Sequence, residues 1–504
     1  MPTPLSQFVK DHPVAGHRPW PRAIVDADAW NRAAAQLAVG GFSLLGLWGE
    51  ADAVHLALHD PTEGSFAVLS LPCPERRYPS IGARHPPALR PERALADLFG
   101  LIPEGLPDPR PWLDHGQWPR RHPLAARPEP AGAAAPYPFL AAEGEHLHYI
   151  PVGPVHAGII EPGHFRISAS GETVVRLEAR LGYVHKGVEG LMAGAGIAAA
   201  ARLAGRVSGD STVAYALAFA QAVEAATGGV PPARARWLRA VMAELERLAN
   251  HLGDIGAICN DAGFALMQAH CAVLRERVLR AAQAAFGHRL MRDGVVPGGV
   301  AVDLEPGGAA AIRALQAEIR RRFPALIELY DRTASLQDRM VGTGVLDPVL
   351  AQTFAAGGFV GRASGRDFDA RRRPGYPPYE GLRFAVPTRT AGDVNARVWI
   401  RIEEVEQSLA LIDQLLSDLP QGPVSQPLPE MTGSHEGLAL VEGFRGDVLV
   451  WLRLDAGGRV ARCHLRDPSW FQWPLLEAAI EGNIVADFPL CNKSFNCSYS
   501  GHDL

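Results

Sequence analysis

The residues best equipped for chemistry gather in the stretch DFPLCNKSFNCSYSGHDL, residues 487–504. It holds Cys491 and Cys497, two of the chain's six cysteines, with Lys493, Tyr499, His502 and Asp503 around them. Thiols and imidazoles ligate metals, and hydroxyl and ammonium groups donate protons. The two cysteines lack the close pairing of a zinc site, so zinc is not expected. A tail this polar would fray if nothing held it. Phe488, Leu490, Phe495 and Tyr499 predict that it packs into the body. It closes a metal site, a substrate cavity, or nothing but the fold.

Four other places carry reactive side chains. In VGPVHAGIIEPGHFR (152–166), His156 sits on a loop shaped by Pro and Gly, where backbone can approach a ligand closely. A histidine there can donate a proton near neutral pH, or simply hydrogen-bond its own loop. In RVSGDST (206–212), Ser208, Asp210, Ser211 and Thr212 lead directly into an apolar helix, with Ser211 or Thr212 as its cap. Such a start is an ordinary polar helix end, or it aims hydroxyls and a carboxylate into a cavity. His185, Lys186 and Glu189 are expected on one helix face, solvated or at an interface. The run 358–371 is too rich in glycine and charge for a regular element; Arg362, Arg366, Asp367, Asp369 and Arg371 predict a rigid ion-pair network.

The elements that position these groups fall into an α+β arrangement. Residues 1–125 read as a small α/β domain. It has a helix at 30–37, strands at 42–48, 53–59 and 65–71, and a helix at 91–99 that Gly100 stops. Residues 126–141, ARPEPAGAAAPYPFLA, read as a Pro/Ala-rich linker. Residues 142–504 then form a larger, mainly helical domain with small bordering sheets. Strands are expected at 149–152 and 164–168, and a strand or helix entry at 174–180. Helices are expected at 212–226, 231–251, 266–286, 309–336 and 398–419. A hairpin-like β segment spans 437–454, with Gly457–Gly458 as a turn. The 212–226 helix is alanine-rich and apolar all round, which predicts burial on every side and a site enclosed between helices.

Bulk properties narrow the function classes. The 504 residues are 47% hydrophobic and 20% charged with a net charge of -5, which gives no electrostatic footprint for nucleic acid. No apolar run reaches the roughly 18–20 residues of a membrane helix. The N-terminus has no signal-peptide pattern. Six scattered cysteines without a C-x-x-C pair suit a reducing compartment. No P-loop, H-E-x-x-H, G-x-S-x-G or post-strand G-x-G-x-x-G occurs.

Taken in order, PVGPVHAGIIEPGHFR, RLGYVHKGVEGL, RVSGDST, ELERLANHLGDIGAICNDAGF, GRASGRDFDARR, GDVNARVWIRIEEVEQSL and RDPSWFQWP resemble the large subunits of membrane-bound group 4 [NiFe]-hydrogenases of the hydrogenase-4 and formate hydrogenlyase type. The same order resembles the forty-nine-kilodalton, D-type subunit of respiratory complex I. RYPSIGARHPPALRPERALADLFGLIPEGLPDPRPWL (77–113) resembles its thirty-kilodalton, C-type subunit. The resemblance implies a C–D fusion in an oxidoreductase complex. Its implied partners are an iron–sulfur small subunit carrying a [4Fe-4S] cluster and membrane-arm subunits. Its implied place is the cytoplasmic side of the inner membrane, bound peripherally.

The resemblance also implies where a nickel–iron centre would be held, and here the sequence departs from it. The first C-x-x-C pair of active members falls on Ser208 and Ser211, and the second on Ser498 and Gly501. A one-residue shift places Cys497 in that second pair, with Ser500 as its partner. Serine hydroxyls and a glycine cannot replace four soft thiolates for nickel, so no metal is expected. In complex I the equivalent cavity takes a quinone head group, bound by a histidine and a tyrosine. His156 matches that histidine and is the expected proton donor or head-group anchor. Ser208, Asp210, Ser211, Cys497, Ser498 and His502 are expected in the cavity wall, and Tyr215 or Tyr499 as substitutes for the tyrosine.

Overall fold

The computed structural model describes residues 3–10, 12–132, 135–156 and 160–504. Ala133 and Ala134 of the expected linker, and Ala157, Gly158 and Ile159 of the histidine loop, lie outside the described residues.

The architecture is α+β. In the N-terminal segment a four-stranded sheet runs in the order Arg22–Ile24, Ser65–Pro72, Ala53–Asp60, Ser43–Gly49. The helix Ala27–Ala38 starts where the Asp26 carboxylate accepts from the Ala29 N–H. The helix Leu89–Phe99 ends at Gly100, whose φ of 66° is the left-handed conformation that glycine tolerates best. A second four-stranded sheet joins the two ends of the chain: His17–Arg18 pairs in parallel with His435–Glu442, followed by Asp447–Leu454 and Val460–Arg466. The sheets face each other through Trp48 and Trp451, 5.6 Å apart, and through the Arg22–Glu436 ion pair at 2.9 Å.

The 126–141 stretch is strapped to both flanking segments. Glu129–Pro130 pairs with Arg120–Arg121, the Tyr137 hydroxyl accepts from Arg93 at 2.7 Å, and the Leu140 N–H donates to Glu178 at 2.7 Å.

The helical core is built around Thr212–Thr227, buried over nearly its whole length as its apolar texture requires. It lies against the strand His435–Glu442 so closely that a Cβ on Gly437 would sit 1.8 Å from the Ala222 carbonyl. Glycine and alanine are what allow this helix–sheet approach. Ala233–Asp261, Ala265–Phe286, Gly308–Arg332 and Val394–Ser417 complete the core. Asp393 caps the last of these by accepting from the Ala396 N–H at 2.7 Å.

Of the two alternatives for 174–180 the structure has the strand, Thr173–Arg180, third in the antiparallel sheet after Leu147–Val152 and His164–Ser170. Other expectations need correction. The stretch expected as one helix at 309–336 is two, Gly308–Arg332 and Ala334–Met340, broken where Thr333 turns extended. The run 358–371 begins with a regular helix, Gly358–Ala363. The late hairpin gains a third strand after the Gly457–Gly458 turn. The tail packs as expected: helix Phe488–Phe495, Asn496 at a φ of 46°, then the short helix Tyr499–Asp503.

No helix among the described residues is long and apolar enough to cross a membrane.

Candidate functional site

Three segments distant in sequence converge on a cavity of about 470 Å³: the loop after Leu147–Val152, the turn before Thr212–Thr227, and the tail. His156, Ser208, Asp210, Cys497, Ser498 and Tyr499 all border it.

His156 is placed by two glycines. Gly153 has a φ of 78°, and a Cβ there would meet the Gly163 carbonyl at 2.3 Å and the His156 ring at 2.6 Å. The imidazole Nε2 donates to that same Gly163 carbonyl at 2.8 Å, because a carbonyl oxygen can only accept. Phe165, Phe488 and Tyr499 supply aromatic wall beside it, with Phe165 and Phe488 centroids 5.0 Å apart.

Ser208 and Ser498 come together across 290 residues, their Oγ atoms 2.9 Å apart. The Ser208 hydroxyl donates to Asp210 at 2.8 Å, and the Gly501 N–H donates to the Ser498 Oγ at 2.9 Å. Burial would raise the Asp210 carboxyl, but the Arg445 guanidinium, donating from Nη1 at 2.8 Å, together with the serine hydroxyls holds it down to about 2. The carboxylate is therefore charged and already neutralised. Cys497 is buried, and burial pushes its thiol up, away from the thiolate a metal would bind. A Cβ on Gly501 would lie 2.4 Å from the Asp467 Oδ2, so this position has no room for a cysteine without rearrangement. Among the described residues no group of three His, Cys, Asp or Glu is arranged to hold a metal ion.

Three expected wall residues are elsewhere. Ser211 sits one layer behind, accepting from Arg445 Nη1 at 3.1 Å. Tyr215 is fully buried and donates to Asp467 at 2.7 Å. One turn inside the helix its side chain faces the core. His502 points away from the cavity: it stacks on Trp470 at 4.1 Å, pairs through Nδ1 with Asp503 at 2.8 Å, and accepts from the Trp112 indole at 3.3 Å.

His185, Lys186 and Glu189 line a separate, mostly apolar cavity of about 490 Å³ between the N-terminal segment and the helical domain, not one helix face. Only Glu189 is helical, in Val188–Met192. Burial opposes its charge, but Arg462 and His464, each at 2.8 Å, hold its carboxyl down to about 2.

Sequence reasoning missed Glu161, Asp261 and Arg445, which also border the first cavity. Glu161 stands inside the histidine loop's own motif and accepts from the Ser500 N–H at 3.0 Å. Burial raises the Asp261 carboxyl. Arg445 occupies a hairpin turn, a place where a lone arginine looks solvated. Glu246 was also missed. It caps the central helix from a neighbour, accepting from the Val213 and Ala214 N–H groups at 2.7 and 3.0 Å, and burial raises its carboxyl to about 8.

Residues 24–130 match the family model for the respiratory-chain NADH dehydrogenase 30 kDa subunit, and residues 261–434 and 428–503 match that for the 49 kDa subunit. Formate hydrogenlyase subunit 5 of Escherichia coli (strain K12) is 33% identical over 436 residues, covering 84% of this chain and 77% of that protein. Hydrogenase-4 component G of the same organism is 32% identical over 437 residues, covering 85% and 76%. The C/D-type subunit of NADH-quinone oxidoreductase from Phocaeicola vulgatus is 30% identical over 310 residues, covering 61% and 60%. Among solved structures, a chain of the membrane-bound sulfane sulfur reductase, an archaeal respiratory membrane complex, superposes with a TM-score of 0.67 at 26% identity, covering 71% of this chain and 99% of that one. This chain belongs to the family of hydrogenase-4-type large subunits and their complex I homologues, with the two complex I-like parts in one polypeptide.

Proposed function

We propose that this chain is a nickel-free member of that family, whose cavity passes electrons from a [4Fe-4S] cluster in a neighbouring iron–sulfur small subunit to quinone or another acceptor. The complex sits on membrane-arm subunits at the cytoplasmic side of the inner membrane. The observation that carries the reading is the Ser208–Ser498 pair, two neutral oxygens 2.9 Å apart where a nickel–iron centre needs thiolates. The donor set does not fit that centre: Ser211 is turned to Arg445, Gly501 abuts Asp467, and the Cys497 thiol is held protonated. What the wall does offer is a histidine beside an aromatic surface and a polar floor. That suits a flat acceptor with a polar end.

Two measurements test this. Metal analysis of the purified complex is expected to find no stoichiometric nickel; one nickel per chain would overturn the reading. His156→Ala is expected to lower acceptor reduction by about 10²-fold, the ordinary worth of a positioned proton donor, with the complex still assembled.

A redox-inert scaffold between peripheral and membrane arms is the second reading. It is favoured by the closure of the Asp210–Arg445–Ser208–Ser498 network, which leaves those groups satisfied without a ligand. An unchanged rate in His156→Ala would support it.

A further inference from the structure

Residues 135–139 border a third cavity, of about 680 Å³, where the stretch 126–141 crosses the antiparallel sheet. On that sheet His164 stands opposite Arg180, and Arg166 opposite Glu178. Alternate strand residues share a face, so these four side chains stand on one side of the sheet. His164, Arg166 and Arg180 border the cavity together with Tyr137 and Phe139. The wall holds more cations than it pairs. Glu178 is taken, accepting from Arg110 at 2.6 Å and from the Leu140 N–H at 2.7 Å. The two acids on the wall are turned to backbone: Asp97 accepts from the Trp112 and Leu113 N–H groups, both at 2.7 Å, and Asp114 from the Gly116 N–H at 2.7 Å.

Arg180 is 3% exposed, yet it meets no carboxylate among the described residues; its partners are the carbonyls of Pro111, Trp112 and Asp114. Burial works against its charge and lowers the guanidinium to about 10. Arg166 also lacks a carboxylate among the described residues, and its Nε is buried without a partner. Buried charges are ordinarily paired, so two such cations on one cavity mark a place for an anion. Both are held by their flat faces, Arg180 at 4.3 Å from the Tyr137 ring and Arg166 at 4.4 Å from that of Phe139. Stacking of this kind leaves edge N–H groups available to oxygen. His164 is 9% exposed and lies against the same Phe139 at 5.3 Å. Its Nδ1 donates to the Gly153 carbonyl at 3.2 Å, and its Nε2 is buried without a partner. Burial, with Arg166 beside it, holds the ring below its ordinary range and so neutral, which leaves Nε2 as an acceptor.

A ligand that satisfies all three groups needs negative oxygens for the guanidiniums and an O–H for the imidazole. We propose that this cavity binds inorganic phosphate as hydrogen phosphate, with Arg166 and Arg180 donating to its oxygens and His164 Nε2 accepting from its O–H. Sulfate has the same shape but no O–H at neutral pH. A phosphate ester, whose second pKa is about 6, has mostly lost its own. The site lies between the two complex I-like parts and does not depend on the acceptor reading above.

The test is equilibrium dialysis of the purified, assembled complex against radiolabelled inorganic phosphate at pH 7, with unlabelled sulfate as competitor. Wild type is expected to show a saturable phosphate site from which sulfate displaces the label about tenfold less effectively than phosphate does. Arg166→Met, which breaks no bond to the rest of the chain, should weaken that site about tenfold or more, the scale of one lost charge-assisted hydrogen bond. His164→Phe keeps a ring against Phe139 and should bring phosphate down to the level of sulfate while sulfate binding stays as in wild type. Absence of saturable phosphate binding in wild type, or wild-type binding in Arg166→Met, would overturn the site. Equal competition by sulfate and phosphate in wild type would overturn the hydrogen-phosphate assignment.

Discussion

Two short stretches of this chain read almost alike. Gly205-Arg206-Val207-Ser208-Gly209-Asp210 ends at the cavity, and Gly361-Arg362-Ala363-Ser364-Gly365-Arg366-Asp367 starts in the core. Their fates are opposite. Arg206 is 41% exposed and pairs with Asp293 on the surface, while Arg362 is 1% exposed and held by Glu404, Glu442 and Asp369 at 2.8, 2.9 and 3.6 Å. Asp210 is gripped by Arg445, whereas Asp367 is 75% exposed. Composition therefore did not decide the role of either run. What decided it was the helix each run adjoins: Gly358–Ala363, which carries Arg362, is inserted between buried carboxylates, while Thr212–Thr227 leads away and leaves its polar start at a cavity. One run closes an ion-pair network and the other leaves an opening.

The contrast can be broken at either end. The largest effect is expected from Glu404→Gln. Glu404 answers Arg362 at 2.8 Å and His251 at 2.6 Å with 1% of its side chain exposed. Removing its charge strands buried cations and should cost about 3–5 kcal/mol in chemical unfolding; a loss under about 1 kcal/mol would mean the network is not rigidly closed. A middle effect is expected from Glu246→Gln. Glu246 has a folded value raised from 4.5 to about 8, so between those pH values the folded state holds a proton that the unfolded state has lost. Its contribution is complete below about 4.5 and declines as pH rises towards 8. Relative to wild type, Glu246→Gln should therefore gain about 1–3 kcal/mol of stability from pH 5 to pH 8. A constant offset across that range would show that Glu246 is ionised in the helix cap. The smallest effect sharpens the cavity side. Ser208→Cys with Ser498→Cys returns two thiols to the wall, yet with Gly501 against Asp467 and Ser211 turned to Arg445 it should acquire no nickel. Stoichiometric nickel in that variant would show that the remaining wall still fits the centre.

Much of this was legible in the sequence. The alanine-rich run announced a helix buried on every side, and the glycines and prolines around His156 announced a loop where backbone comes close, as Gly153 and Gly163 do beside the imidazole. The order of short motifs brought Ser208 and Ser498 to one place before any geometry was known. What stayed hidden was orientation. His502 and Tyr499 share a one-turn helix, and sequence cannot say which of them faces the cavity. Arg445 and Glu246 were hidden because each acts on a partner carried by a different element. The break at Thr333 interrupts an otherwise helical pattern, with Pro324 tolerated inside the preceding helix.

The sheet that pairs His17–Arg18 with His435–Glu442 also bears on assembly. In a complex that carries the two complex I-like parts on separate chains, that contact would be an encounter between two molecules. Here the parts are tethered, which raises their mutual concentration to the order of millimolar or above and fixes their ratio at one to one. The tether also sets a timetable. The strand His435–Glu442 is made long after His17–Arg18, so the interface of the first-made segment closes only once the helical core between them has been synthesised.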